Sequence, residues 1–349
     1  MQNNTFIFDT NALIAVVPNL KRSQKFLLDR FFPAVVHSDT EFVSIDVDVG
    51  KRRMAPFVSP LVEGKLVESR RVQTNQFKPA YIKDKRAPDL RKPIRRQIGE
   101  QIGGQMSGAD RAAANLEFEL TDQLDMLDRR LEWMAASALF YGTVTITGDG
   151  YPTVVVDFGR DPSLTVAKAG GAKWTKANIA AGTASPTNDV ELWAQQMLKK
   201  SGATPSDIVF STTAWQGFKL DPVLQGAIIY PKVSDQGNVI NPASNVKLGA
   251  QYMGRWGQYD LWVYNDWFVD DNNVEQPMIP EGSIALVSDQ LQGTRAFGQI
   301  LDEEFNYESL PYAPKTWVEK DPAQRILLMQ SSPIVIPSRV NASMSAQVI

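Results

Sequence analysis

Catalysis needs reactive side chains, and this chain holds few. It has no cysteine and one histidine, His37. Disulfides, thiolate metal sites and cysteine nucleophiles are therefore excluded, and any Ser-His-Asp relay or histidine-ligated zinc would have to pass through His37. That residue lies between Val36 and Ser38-Asp39 with no partner signature nearby, so it reads as an ordinary polar or packing side chain. Asp302-Glu303-Glu304 has the residue types of a metal site or an acid pair. Consecutive side chains diverge on most backbones, however, so a solvated charge run is expected. Asp270-Asp271-Asn272-Asn273 lacks the glycine and distal glutamate of an EF-hand and reads as a solvated turn. Gly99, Gly103, Gly104 and Gly108 match neither the P-loop nor the G-x-G-x-x-G spacing, and read as a flexible joint. Trp256, Trp262 and Trp267 could stack on bases or sugars. At alternating strand positions they are expected to fill a core or an interface instead. The expectation is a protein without enzymatic activity, metal or cofactor.

Charge is the second source of chemistry. From Lys51 to Arg96 there are 14 Lys and Arg against 4 acids, a net +10. The first fifty residues carry 4 against 6 and the remainder 18 against 29, so −2 and −11 bring the total to −3. A basic segment on an acidic body can reach for nucleic acid or for the acidic body of a neighbouring copy. Composition does not choose between them.

The elements that must position these groups start with a long helix. Between Ser107 and Tyr141, Leu116, Leu120, Leu124, Leu127, Leu131, Met134 and Ala138 recur at steps of three and four, one helical face. Ser107 followed by Asp110 marks a start and Gly142 a stop. Such a rod is about 46 Å long, so something equally long must cover its apolar face. The run Ile326–Ile336 reads as one buried strand and is the natural partner.

Residues 1–41 read as an extended arm with one or two short helices. Val43, Ile45, Val47 and Val49 alternate as a half-buried strand that Gly50 ends. Beyond it, Pro56, Pro60, Pro79, Pro88 and Pro93 separate short strand-like pieces with too few apolar residues for a private core. That is a long hairpin which must gain its order by lying on something else. Gly148-Asp149-Gly150 sits between two β-branched runs as a hairpin turn, and residues 167–184 read as loop or linker. Residues 187–300 have the pattern of a compact α/β unit. Its first helix is expected to start at Asn188, bury Val190, Trp193, Met197 and Leu198, and stop at Gly202. No apolar run reaches the length of a membrane span and no secretory signal opens the chain.

Three blocks stand in order along the chain: Val58-Ser59-Pro60-Leu61-Val62-Glu63-Gly64 with Ser69-Arg70, continued by Phe77–Lys83; Val154–Arg160 with Trp174; and Trp317-Val318, Asp321-Pro322-Ala323 and Met329–Pro333. With these the chain resembles the major capsid proteins of lambda-type tailed phages, the first block being similar to that family's extended-loop motif and the last to its C-terminal one. The resemblance implies an α+β tailed-phage coat fold of the Hong Kong 97 type. Its parts map as an N-terminal arm (1–41), an extended hairpin loop (42–97), a peripheral domain with the long spine helix (98–160), an axial α/β domain (161–300) and a return to the peripheral domain (301–349).

The resemblance implies a structural role. Copies would gather as pentamers and hexamers into an icosahedral shell around double-stranded DNA, with scaffold, portal and decoration proteins as further partners. The site is in the virion capsid, with host cytoplasm during assembly and no membrane. Lys65, Arg70, Arg71, Lys83, Lys85 and Arg86 are the expected inter-subunit contacts of the loop, and Leu116, Leu120, Leu124, Leu127 and Leu131 the spine core. Lys65 lies near the loop tip, where some relatives form Lys–Asn isopeptide bonds. The lambda-type relatives look non-covalent. An encapsulin-like nanocompartment shell and a DNA-binding protein remain as alternatives.

Overall fold

The computed structural model describes residues 25–48, 54–67, 72–88, 107–148, 150–229, 239–240, 249–270, 272–321 and 324–349. Most of the expected arm, Arg70, Arg71, Gly99, Gly103, Gly104 and nearly all of the 231–246 loop lie outside them.

The long helix spans Gly108–Tyr141, 34 residues. Its start is a capping box: Ser107 Oγ accepts from the Asp110 N–H at 3.1 Å, and the Asp110 carboxylate accepts from the Ser107 N–H at 3.0 Å. Gly142 ends it in the left-handed region at φ 71, which favours glycine. Leu116, Leu120, Leu124, Leu127 and Leu131 are all buried, but against two different partners. The first three pack with Leu327 and Met329 in a small separate cluster, while Leu127 onward enters the main core.

The small cluster is roofed by a three-stranded antiparallel sheet in the order 313–318, 325–331, 82–86. The main core sits under a seven-stranded mixed sheet ordered 165–167, 343–347, 283–287, 207–210, 259–265, 249–256, 239–240. Strand 207–210 is the buried centre of that sheet, parallel to 259–265 and antiparallel to 283–287. The helices Pro186–Ser201 and Thr212–Phe218 accompany it. A second three-stranded sheet joins 34–37, 293–297 and 333–337. Two-stranded ribbons pair 43–48 with 72–77, 143–148 with 151–157, and 267–269 with 275–277.

Several expectations change. The run Ile326–Ile336 is two strands, Arg325–Ser331 and Pro333–Pro337, in different sheets. Proline has no N–H to donate at Pro333, so the ladder of the first sheet stops there. Residues 343–347 belong to the seven-stranded sheet, so the C-terminal segment contributes strands to three sheets. The hairpin ends at Phe77, because Ile82–Arg86 is a strand of the body paired with 325–331. Residues 167–184 are packed and not a linker. Thr175 caps a short helix, Lys176–Ala180, and Trp174 beside it is buried and donates its indole N–H to Asp189 at 2.8 Å. Leu198 is exposed, because the buried stripe of its helix is Val190, Trp193, Ala194 and Met197.

Candidate functional site

The residues suspected of chemistry occupy structural roles. His37 ends an exposed strand, its ring stacked 5.8 Å from that of Phe297. Asp302 accepts from Lys315 Nζ at 2.9 and 3.0 Å and from Gln330 Nε2 at 2.9 Å. Burial alone would raise the Asp302 pKa, but these bonds outweigh it and hold the carboxyl below its usual range. Asp270 Oδ1 accepts from the N–H groups of Asn272 and Val274, the geometry of a turn. Among the described residues no group of three His, Cys, Asp or Glu could hold a metal, and no helix is long and apolar enough to cross a membrane.

What stands out is surface. Between the strands 43–48 and 72–77, residues 54–67 form an exposed loop on which Met54, Phe57, Leu61, Val62 and Leu66 lie open. Phe57 is 101% and Leu66 99% exposed, so no part of the described subunit covers them. Scattered single apolar residues are ordinary on a surface, but a contiguous run marks a contact site. Lys65 is exposed on the same loop.

The other cations divide. Lys83 lies 5.2 Å from the Tyr81 ring, and the exposed Lys85 lies 5.5 Å from that of Trp317 and 3.9 Å from Glu319, a loose pair at the surface. Arg86 is tied within its own subunit to Asp84 at 3.0 Å, Glu119 at 3.1 Å and Asp122 at 2.5 Å. Arg86 thus fastens the strand 82–86 to the long helix. The sequence grouped it with the loop because proline and charge continue past Phe77 without a visible boundary.

A second surface lies beside the long helix. A groove of about 1920 Å³ runs between that helix, the helix Phe26–Phe31 and the ribbon 267–277. Phe26, Met126, Trp133, Trp262 and Phe268 are among its walls. Gln123 and Asp128 of the long helix border it, and one buried oxygen of each, Gln123 Oε1 and Asp128 Oδ2, has no donor among the described residues. Their residues are 1% and 4% exposed. Buried acceptors of this kind are uncommon and costly in native proteins.

The short helix Phe26–Phe31 is locked at this place by groups that sequence reasoning did not single out. Glu132 accepts the N–H groups of Leu27 at 2.8 Å and Leu28 at 3.0 Å, and the Tyr264 hydroxyl at 3.0 Å. Burial raises the Glu132 pKa, and these three donors oppose the rise only in part. Arg30 reaches the buried Asp207 at 2.6 Å and stacks 4.8 Å from the Trp262 ring. Gly293 lies so close that a Cβ there would overlap the Phe31 carbonyl oxygen. At the other end of the long helix, Arg160 donates to the carbonyls of Leu139 and Phe140. None of these contacts has a local sequence signature, since the partners lie between 20 and 262 residues apart.

A long helix with two hydrophobic partners, an exposed hairpin loop and a mixed sheet unit with accompanying helices define the coat fold of tailed phages. A solved capsid protein assigned to a prophage of E. coli CFT073 superposes with a TM-score of 0.71 at 18% identity, over 98% of this chain and 99% of that one. The capsid of cyanophage P-SCSP1u is similar at a TM-score of 0.50 and 8% identity, covering 94% and 89%. The chain belongs to the family described as phage major capsid protein E, whose model matches residues 9–348. It is similar to the major capsid protein of Escherichia phage lambda, 27% identical over 98% of this chain and 99% of the relative. That of Enterobacteria phage P21 is 26% identical over 95% and 96%.

Proposed function

We propose that this chain is the structural subunit of a phage capsid, built to associate with copies of itself into a closed shell. Family membership supports the structural role, and the exposed apolar loop 54–67 is the observation that carries self-association. Nothing among the described residues explains seven large apolar side chains held open on one loop. The nanocompartment and DNA-binding readings are not favoured, since the matching curated relatives are phage major capsid proteins.

Within this reading, the subunits gather as pentamers and hexamers, and the loop with Lys65, Arg70 and Arg71 lies on a neighbour. Lys83 and Lys85 supply charge from the adjoining strand, and Arg86 is reassigned to holding its own subunit together. Scaffold, portal and decoration proteins, non-specific contact with packaged DNA, and a passage through host cytoplasm belong to the same proposal. So does the absence of intrinsic catalysis. Sedimentation of the purified chain tests it: a particle in the megadalton range is expected, and a lone folded monomer at assembly concentrations contradicts it.

A further inference from the structure

We propose that Glu132 and Asp266 share the single proton of the Tyr264 hydroxyl, and that uptake of a second proton there makes the seat of the short helix Phe26–Phe31 pH-sensitive, firmer in acid and looser in base. The device belongs to the single subunit and does not depend on shell formation.

Tyr264 joins the two carboxyl groups. Its hydroxyl lies 3.0 Å from Glu132 Oε1 and 3.4 Å from Asp266 Oδ2. Burial and the two carboxylates keep the phenol protonated, so one hydrogen serves two acceptors. A hydroxyl bond is ordinarily about 2.7–2.8 Å long, so that hydrogen faces Glu132 and the approach to Asp266 is the weaker one. Asp266 keeps one donor of its own, the Trp267 N–H at 2.9 Å on Oδ1. Glu132, 4% exposed, has no such access to water, and it also carries the first N–H groups of the short helix, Leu27 on Oε1 and Leu28 on Oε2.

The cations of the surrounding elements are engaged elsewhere. Beside the short helix, Lys25 is held by Asp128 at 2.7 Å and Arg30 by Asp207 at 2.6 Å, while Asp29 pairs with Arg295 at 2.7 Å. Arg129 and Arg130 of the long helix are exposed, the second lying 5.5 Å from the Trp133 ring. Glu275 of the 267–277 ribbon is exposed in the same groove and adds negative charge. Two carboxylates therefore face one hydroxyl with no cation between them.

A proton from solvent resolves this. Bound to Glu132 Oε1, it donates to the Tyr264 oxygen, and the Tyr264 hydrogen turns to Asp266 Oδ2. No other bond changes, Glu132 still accepts from Leu27 and Leu28, and one buried negative charge is removed. When the short helix lifts, Glu132 meets water and is ionised at neutral pH. Acid thus favours the seated helix and base the lifted one, which is the sign that burial gives to the raised Glu132 pKa. The same helix reaches the seven-stranded sheet through Arg30 and Asp207, so the proton also sets how firmly that sheet is tied to the long helix.

Hydrogen exchange of the full chain, kept below its assembly concentration, reads the seat. Protection of residues 26–31, corrected for the intrinsic pH dependence of exchange, should fall between about pH 5 and about pH 8 in the wild type. Glu132→Gln should abolish the fall. Asp266→Asn removes the charge on the far side of Tyr264 and should move the fall to lower pH, and this half-buried position serves where Glu132→Gln does not fold. A Glu132 that only packed would, when replaced, lower protection by the same factor at every pH. Wild-type protection that is flat with pH overturns the proposal. So does a fall that persists unchanged in Glu132→Gln, or an Asp266→Asn profile that coincides with the wild type.

Discussion

Arg160 Nη1 lies 2.6 Å from the carbonyl oxygen of Leu139, so a buried guanidinium closes the C-terminal end of the long helix. Its Nη2 adds Phe140 O at 2.7 Å and Ser345 Oγ at 3.1 Å. The last carbonyls of a helix lack intrahelical donors and carry the negative end of its dipole, which makes a cation there favourable. Burial lowers the Arg160 pKa to about 10, still charged at neutral pH. One side chain thus joins the helix, the 143–157 ribbon that precedes it and the C-terminal strand of the seven-stranded sheet.

The first prediction follows from that contact. Arg160→Met should destabilise the subunit by roughly 2–4 kcal/mol, since buried hydrogen bonds to a charged group are among the stronger ones and their carbonyls would be left unpaired. Gly142→Ala should cost about 1–2 kcal/mol from its φ of +71 alone, with a further penalty because the added Cβ meets Arg160 Nε at 2.9 Å. Denaturant midpoints of the isolated subunit measure both. Wild-type midpoints would mean the helix end is satisfied in another way.

Glu132 gives a pH-dependent prediction. Its pKa in the folded subunit is raised above 4.5, chiefly by burial. The associated stability is complete below the unfolded pKa and lost as pH rises through the folded value. Glu132→Gln cannot titrate, and it turns an amide N–H₂ toward one of the Leu27 and Leu28 donors. The wild type should therefore exceed the variant in stability, and by more at about pH 5 than at about pH 8. An unchanged difference across that range would contradict the assignment of burial as the dominant influence.

The two faces of the long helix should respond oppositely. Leu124→Asp places a carboxylate in the small cluster beside Leu327 and Met329, costing several kcal/mol and giving insoluble subunit. Phe118→Asp changes an exposed residue and should stay within about 0.5 kcal/mol of wild type. Soluble yield and thermal unfolding separate the cases.

The cations should separate as well. Arg86→Gln removes ties to Glu119 and Asp122 and should lower subunit stability measurably in thermal unfolding, although side chains this close to solvent contribute only about 1 kcal/mol a pair. Lys65→Gln should leave the subunit melt unchanged and appear only in assembly rate and its salt dependence. Equal behaviour of the two variants in the subunit melt would contradict the reassignment of Arg86.

Local rules made much of this molecule legible. The Leu116–Leu131 stripe, the Ser107–Asp110 start and the Gly142 stop predict a helix that the structure places at Gly108–Tyr141. The glycine-centred turn near residue 149 likewise lies between paired strands. What the sequence hid is long-range. Nothing local tells that Leu327 and Ile334, seven residues apart in one apolar run, enter different clusters. Nothing local distinguishes Arg86, whose partners lie on the helix, from Lys65 on the open loop. The groove draws its walls from six separate stretches of chain, and the buried acceptors of Gln123 and Asp128 beside it leave no trace in spacing.

The central claim is that the open apolar loop drives copies of this chain into a shell. Electron microscopy of Phe57→Ser/Leu61→Ser/Leu66→Ser beside wild type, with circular dichroism of both subunits, tests it most directly. Closed particles are predicted for the wild type, with folded, dispersed subunits for the triple variant. Normal shells from the triple variant would contradict the account.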